Sequence, residues 1–350
     1  MKQPNKIAII GYFALGVKKF GGQSVKTLMF VRALRQYYSR KALCCVPTDK
    51  WKKHPLKRIL QTIYVLRMCQ SIIIFPAQNS VQILAPLLVF ANLLFCRKLY
   101  YVVVGGWLPE MTKQKKWLAY FLKKFNGIYV ETSSMKTALE KQGFTNIFIM
   151  PNFKNLPILT EKELIYTTKE PFAFCTFSRV MKEKGIEDAI NAITQINTKA
   201  GHVVATLDIY GKVDDNYAVQ FEKLQRTFPP YIKYKGIVPP NKSVDVLKHY
   251  FALLFPTHFE TEGIPGTIID SYAAGVPVIT ALWINYRDVF IENQTGYGFK
   301  MGDVKQLSTA IKNAIQNPTL FNTMKPFCLQ EAQKYIPQKG IVSILRSLTI

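Results

Sequence analysis

The sequence predicts an α/β protein made of two doubly wound parallel sheets, and three observations carry that prediction. Short apolar runs rich in β-formers alternate with helix-length segments along the chain. The rhythm stops once, at a proline-marked stretch beginning at Pro151, and then restarts. The length of 350 residues suits two domains at roughly 100–200 residues each.

Taken in order, the apolar runs of the first half are Lys6–Ile10, Ala42–Val46, Ile72–Phe75, Leu99–Val104, Gly127–Val130 and Ile147–Met150. Between them lie Ser24–Tyr38, Leu56–Cys69, Val81–Phe95, Lys113–Phe125 and Ser133–Gln142, each long enough for a helix. Strands that are apolar throughout, with no alternation, are covered on both faces, as in a parallel sheet with crossover helices. Pro151-Asn152-Phe153-Lys154, followed by Pro157 and Pro171, reads as a linker. The second series runs Phe172–Ser178, Val203–Tyr210, Tyr231–Tyr234, Ala252–Phe255 and Val276–Thr280. Ligands of such sheets bind beyond the carboxyl ends of the strands, so a cleft between the two halves is the expected site.

Two segments imitate other things. Residues 7–17 form an apolar core after Lys2 and Lys6, like a signal peptide, but Lys18 and Lys19 follow in place of a small-residue cleavage site. Arg67 to Arg97 carries no charge, yet Pro76, Gln78, Asn79, Ser80 and Pro86 divide it, so it reads as a strand and a buried helix rather than a membrane span. The six cysteines form no CxxC pair and the four histidines are dispersed, which argues against a Cys/His metal site and suits a reducing compartment.

The chain holds 46 Lys and Arg against 22 Asp and Glu, a net charge of +24. Residues 1–150 hold 24 of those bases and only four acids, Asp49, Glu110, Glu131 and Glu140. A field this one-sided points to a polyanionic partner, either an anionic membrane or a nucleic acid.

Four places can carry chemistry. The first is the loop from Gly11 to Ser24, where Gly16, Gly21 and Gly22 precede a helix and let backbone amides approach an anion. Its spacing is not G-x-G-x-x-G, and a plain turn suits it equally. The second is Phe177 to Gly185, a strand-to-helix loop with Arg179 and Lys184. A guanidinium fork and an ammonium point charge suit a diphosphate, and a solvated basic loop is the alternative. The third and most specific is His258 to Ile279, where Glu262 precedes Gly263, Pro265 and Gly266, and Asp270 lies within the following helix. Pro265 suits a helix start, and the amides of Gly266, Thr267 and Ile268 form an anion nest there. Helix capping by Glu262 and a core ion pair for Asp270 are the structural alternative. The fourth is Val102 to Glu110, a strand running into Gly105-Gly106-Trp107, either one side of a cleft or a tight turn.

On these residues the chain resembles a family-4 retaining glycosyltransferase of the kind that builds bacterial capsule, O-antigen or exopolysaccharide. The Gly21-Gly22 loop, Pro151-Asn152, Arg179 to Gly185, Tyr210-Gly211, Lys235-Gly236 and the block from Glu262 to Pro277 occur in that family's order and span most of the chain. The resemblance implies the GT-B fold, two Rossmann-like doubly wound domains. Residues 1–152 would face acceptor and membrane, 153–335 would bind the nucleotide sugar, and 336–350 would be a C-terminal helix returning to the first domain. It also implies roles. Arg179 and Lys184 would hold the donor diphosphate, and Glu262 would contact the donor sugar. Gly266, Thr267 and Ile268 would supply amides, and Asp270 would bind the ribose. Gly21 and Gly22 would let the N-terminal loop close on the phosphates, and Gly105, Gly106 and Trp107 would face the acceptor. The family's usual second carboxylate is Glu, one methylene longer than Asp270, and the His-Gly of many relatives is Val104-Gly105 here.

Transfer from a nucleotide sugar needs countercharge for a departing diphosphate, which aimed cations and helix-end amides supply without a metal. No D-x-D motif occurs, so neither metal nor cofactor is expected. UDP is the family-level preference for the donor. The basic half then suits an anionic membrane. In Lys113 to Phe125, the residues Trp117, Leu118, Phe121, Leu122 and Phe125 share a helical face rimmed by Lys113, Lys115, Lys116, Lys123 and Lys124. The expected place is the cytoplasmic face of a bacterial plasma membrane, with a lipid-linked or glycan acceptor. Rival readings are a nucleic-acid binder, which lacks any accompanying motif, and a GT-B epimerase or phosphorylase.

Overall fold

The computed structural model describes residues 6–14, 22–49 and 55–349. The chain forms two compact units, Met1–Asn155 with Ile336–Ile350, and Leu156–Tyr335. It leaves the first unit at Asn155, a little beyond the Asn152 boundary expected from the prolines.

The first unit is a six-stranded, all-parallel sheet of β1 (Ile7–Gly11), β2 (Leu43–Pro47), β3 (Ser71–Phe75), β4 (Lys98–Val102), β5 (Gly127–Val130) and β6 (Ile147–Ile149). The order is β2-β1-β3-β4-β5-β6, so the winding reverses between β1 and β3. Its helices are α1 (Gly22–Leu34), α2 (Pro55–Met68), α3 (Gln78–Asn92), α4 (Leu108–Gln114), α5 (Lys116–Leu122) and α6 (Ser133–Glu140). Alternate residues of each strand feed two cores. Ile7 and Ile9 pack with Phe30 and Leu34 of α1 on one face, and Ala8 and Ile10 share the other core with α2, α3 and α5.

One expected helix is two. Lys113–Phe125 is broken at Lys115, whose φ of −112° and ψ of 80° leave the helical region. Pro109 starts α4 early, at Leu108, and α5 begins afresh at Lys116. The expected common apolar face is divided accordingly. Leu118, Leu122 and Phe125 are buried in the core, whereas Trp117 is exposed and Phe121 half-buried.

The second unit has β7 (Phe172–Phe177), β8 (Ala205–Tyr210), β9 (Ile232–Gly236), β10 (Ala252–Phe255), β11 (Val278–Leu282) and β12 (Gly296–Lys300), all parallel in the order β12-β11-β10-β7-β8-β9. Its helices are α7 (Ile186–Ala200), α8 (Ala218–Gln225), α9 (Ser243–Leu247), α10 (Gly266–Ala273), α11 (Val304–Gln316), α12 (Pro318–Asn322) and α13 (Met324–Ala332). Strand β12 was not expected. Its sequence, Gly-Tyr-Gly-Phe-Lys, carries turn residues, but it lies at the sheet edge, and Gly296 at φ +149° lets its backbone approach the Val278 carbonyl. The chain ends in α14 (Pro337–Gly340) and α15 (Val342–Thr349), which belong to the first unit, where Ile341 and Ile344 pack with Phe153 and the Tyr100 hydroxyl donates to the Ser347 carbonyl at 2.9 Å.

Candidate functional site

In the second sheet the chain winds from β7 outward to β9, then returns to start β10 against β7. That adjacency is the topological switch point, where the loops leaving β7 and β10 part to opposite sides and leave a crevice. Arg179, Lys184 and Glu262 sit on those two loops.

The loop after β7 ends in a 3₁₀ turn, Lys182–Lys184, and then Gly185, which takes φ +66°. A Cβ on Gly185 would lie 1.8 Å from the Pro256 carbonyl oxygen, so only glycine lets this loop seat against the loop after β10. The His258 amide donates to the Glu183 carbonyl at 2.8 Å and fastens the two loops together. Lys184, the residue before Gly185, is thereby delivered to Glu262, with which its ammonium forms an ion pair. The pair is largely buried, each side chain being 16% exposed, and the ammonium lies 4.8 Å from the Phe259 ring centroid and 5.4 Å from that of Phe255.

Glu262 is held from other sides too. The Thr257 hydroxyl donates to its Oε1 at 3.0 Å, and the buried Asn285 side chain donates to its backbone carbonyl at 2.7 Å. Thr257, Asn285 and the two phenylalanines were missed by the sequence reasoning. Asn285 lies beyond β11, and nothing local marks it as a partner of a residue more than twenty positions earlier.

Helix α10 begins beside this pair in sequence. Pro265 stands at its cap with extended geometry rather than inside the first turn. The expected trio of amides is corrected to two, because the Ile268 amide donates to the Pro265 carbonyl at 3.1 Å and closes the first turn. Gly266 and Thr267 remain as orphan donors of the helix end. The Thr267 hydroxyl is buried with no hydrogen-bond partner, an unmet polar atom at the helix mouth. Asp270, in the second turn, is buried.

Arg179 is placed separately from the Lys184–Glu262 pair. It is half exposed and its guanidinium lies 3.6 Å from Asp214. Its loop is pinned to the loop after β8 by a bridge between Val180 and Val213, and by Gly211, whose Cβ would lie 1.7 Å from the Ser178 carbonyl oxygen.

In the first unit, Gly21 lies outside the described residues, and Gly22 is the first residue of α1 with open space around it. The Gly105-Gly106-Trp107 segment is a turn. Gly105 takes φ +86°, and the Trp107 indole N–H folds back onto the Val104 carbonyl at 2.8 Å, which occupies its only polar group. Sequence reasoning also missed a buried ion pair at the end of β5. Lys26 of α1 contacts Glu131 at 2.5 Å and donates to the Val103 carbonyl at 3.2 Å, so a lysine counted in the basic field is internal.

The lysines expected at a membrane differ among themselves. Lys113, Lys116, Lys123 and Lys124 are exposed, while Lys115 is half-buried against Gln82 at 2.5 Å. Among the described residues no helix is long and apolar enough to cross a membrane, and no group of three or more His, Cys, Asp or Glu is gathered as metal ligands.

Residues 160–327 match the model of the glycosyl transferases group 1 family. A capsular polysaccharide biosynthesis glycosyltransferase, CapM of Staphylococcus aureus, is 28% identical over 147 residues, 42% of this chain and 37% of that one. A glycogen synthase of Mycobacterium tuberculosis is 25% identical over 141 residues, 40% of this chain and 33% of its own. The matches thus span about a third of the length of these curated relatives. Among solved structures, HepE of Anabaena in complex with UDP superposes with a TM-score of 0.80 at 14% identity, covering 98% of this chain and 99% of that one. The lipopolysaccharide outer core galactosyltransferase WaaB gives 0.70 at 15% identity, over 98% and 99%. Residues 160–327, which contain the switch-point loops, thus match the glycosyl transferases group 1 model, and the chain as a whole has the GT-B fold.

Proposed function

We propose that the protein transfers a sugar, with retention at the anomeric carbon, from a UDP-sugar to a glycan or lipid-linked acceptor during synthesis of a bacterial surface polysaccharide such as capsule. The observation that carries this reading is the largely buried Lys184–Glu262 pair, built at the switch point by two interlocked loops, the second of which leads directly into α10. A largely buried cation on a loop at the switch point is suited to an anionic leaving group. The solved complexes of HepE with UDP and with UDP-glucose, and the capsular role in the name of CapM, support the choice of donor and pathway class.

In this reading the arriving diphosphate competes with Glu262 for Lys184, and the Gly266 and Thr267 amides take further phosphate or sugar oxygens. Glu262, relieved of its ammonium, accepts hydroxyls of the donor sugar. Arg179 turns from Asp214, a half-exposed and therefore weak partner, to the diphosphate. Asp270 takes the ribose hydroxyls. The Gly105–Trp107 turn of the first unit borders the acceptor. The charge developing on the leaving group is met by these side chains and amides, and no resident metal or cofactor is assigned. We place the protein peripherally on an anionic membrane at the cytoplasmic face, through the basic first unit, and assign it no nucleic-acid partner.

Thermal shift against UDP, GDP, CDP and ADP tests the reading. UDP should raise the melting temperature. The double variant Arg179→Ala/Lys184→Ala should melt lower than the wild type without ligand, because Glu262 loses its ammonium, and should show no further rise with UDP. Equal response to all four nucleotides, or a UDP response that survives the double substitution, would refute the donor site.

A further inference from the structure

The first unit carries an apolar surface that neither its cores nor the donor chemistry uses. On α2, Leu56, Leu60 and Tyr64 recur every fourth residue, and all three are exposed, Leu56 by 75%. On α3, Ile83, Phe90 and Leu94 follow the same helical stripe and its C-terminal extension, with Leu94 84% exposed. On α5, Trp117 and Tyr120 are exposed. These helices all pack on the same face of the sheet, through Val65 and Leu66, Val81 and Leu88, and Leu118 and Leu122. Their outer stripes therefore belong to one helix layer. Phe90 and Phe121 join α3 to α5 with ring centroids 5.3 Å apart. Arg97, just after α3, donates to the Leu66 and Arg67 carbonyls at 2.8 and 3.0 Å and joins it to α2.

We infer that the outer surface of the α2–α3–α5 layer docks on an anionic lipid leaflet, with these side chains inserted among the headgroups. The inference rests on the peripheral membrane placement proposed above and replaces its single lysine-rimmed helix with a face of three helices. Charge selects lipid as the occupant. Between Asp49 and Glu110 the sequence contains no acidic residue, while Lys57, Arg67, Lys116, Lys123 and Lys124 are exposed on the same helices or at their ends. A second copy docked on this face would set like charges against each other. A leaflet of acidic lipids offers hydrocarbon to the stripes and phosphate to the lysines, whose stems reach along apolar surface while the ammonium stays wet. The helices, of 14, 15 and 7 residues, are of a length to lie in the interface rather than span it.

Flotation with vesicles of phosphatidylcholine alone, and with phosphatidylglycerol added to 30%, tests the surface. The proteins are wild type, Leu60→Ser/Tyr64→Ser on α2, Phe90→Ser/Leu94→Ser on α3, and Val219→Ser/Leu320→Ser, which removes two exposed apolar residues of the second unit. Wild type and the second-unit control should float with the anionic vesicles and stay down with the neutral ones. The α2 and α3 variants should each lose about tenfold or more in partitioning, as expected for withdrawing two large side chains from partial burial. Trp117 adds a local readout, in that brominated lipid should quench a fluorescence component absent from Trp117→Phe. Light scattering and the UDP thermal shift, both without lipid, are run on every variant. A retained melting transition shows that a variant is folded, and vesicle binding is read whether or not UDP binds, so this surface and the donor site fail separately. Unaltered flotation of the α2 and α3 variants, equal binding to neutral vesicles, or a wild-type dimer that these substitutions split would each overturn the proposal.

Discussion

Gly185→Ala probes the joint that creates the candidate site, and its effect can be worked from the backbone. Alanine at φ +66° is in the left-handed region, which costs an L-residue about 1–2 kcal/mol. The added methyl would also stand 1.8 Å from the Pro256 carbonyl oxygen, far inside contact, so one of the two interlocked loops must retreat by roughly 1.5 Å to reach ordinary separation. That retreat stretches the His258 amide bond to the Glu183 carbonyl, a net loss of about 1 kcal/mol. The expected destabilisation is the sum, about 2–3 kcal/mol. The same displacement carries Lys184 from Glu262, and a misplacement of about 1 Å can lower a rate by about a hundredfold.

Gly201 supplies the control. It caps α7 at φ +72°, but nothing lies within 4 Å of where its Cβ would be. Gly201→Ala should therefore show the conformational cost alone, about 1–2 kcal/mol, with UDP binding unchanged. Urea denaturation of both variants, UDP thermal shift and sugar transfer give the comparison. If Gly185→Ala proves no more destabilising than Gly201→Ala, and its response to UDP is that of the wild type, the interlock does not position Lys184.

Other outcomes follow from individual contacts. Lys184→Met should abolish the UDP-induced rise in melting temperature, whereas Glu262→Gln should keep it and lower sugar transfer by about a hundredfold, measured as product formed per unit time. Lys26→Met removes the buried ammonium that contacts Glu131 and donates to the Val103 carbonyl, and should lower unfolding free energy by about 3–5 kcal/mol in urea. Lys325, on α13, is buried, and burial lowers its pKa to about 8 from 10.5. The unfolded chain binds the extra proton between those values, so this group makes stability rise with pH from about 8 toward 10.5 and fall through about 8 on acidification. Lys325→Met should thus raise the melting temperature most near pH 7, by an amount equivalent to roughly 2–4 kcal/mol, and flatten the alkaline rise; equal gains at pH 7 and pH 10 would contradict this.

The parallel sheets were legible because their strands are apolar throughout, a pattern that needs no long-range information. Edge strand β12 was not, since its two glycines carry no strand propensity and its pairing is decided by how closely Gly296 approaches Val278. The candidate site divides in the same way. Glu262, Lys184 and the start of α10 announce themselves by glycines and a proline at fixed offsets. Which cation faces which acid is a matter of loop seating. The sequence grouped Arg179 with Lys184, and the structure ties Arg179 to Asp214 and Lys184 to Glu262. Thr257 and Asn285 hold Glu262 through contacts no spacing predicts.

Helix α3 shows where pattern reasoning reaches its limit. A helix apolar on all sides is either enclosed or facing lipid, and the sequence is the same in both cases. Residues 67–97 read as a strand and a buried helix because prolines and polar residues excluded a span, and that exclusion was sound. What it left open was the second face. Val81, Leu84, Ala85 and Leu88 are in the core, which accounts for one stripe of α3, while Ile83, Phe90 and Leu94 remain outside it. The same division recurs on α2 and α5, where Val65, Leu66, Leu118 and Leu122 pack on the sheet and Leu56, Leu60, Tyr64, Trp117 and Tyr120 do not. Packing alone therefore explains too few of these residues, and the missing acids from Asp49 to Glu110 have no packing explanation either, since Lys57 and Arg67 in that stretch face solvent and could be paired there at no cost to the core. A single requirement, a surface at once apolar and free of negative charge, accounts for both.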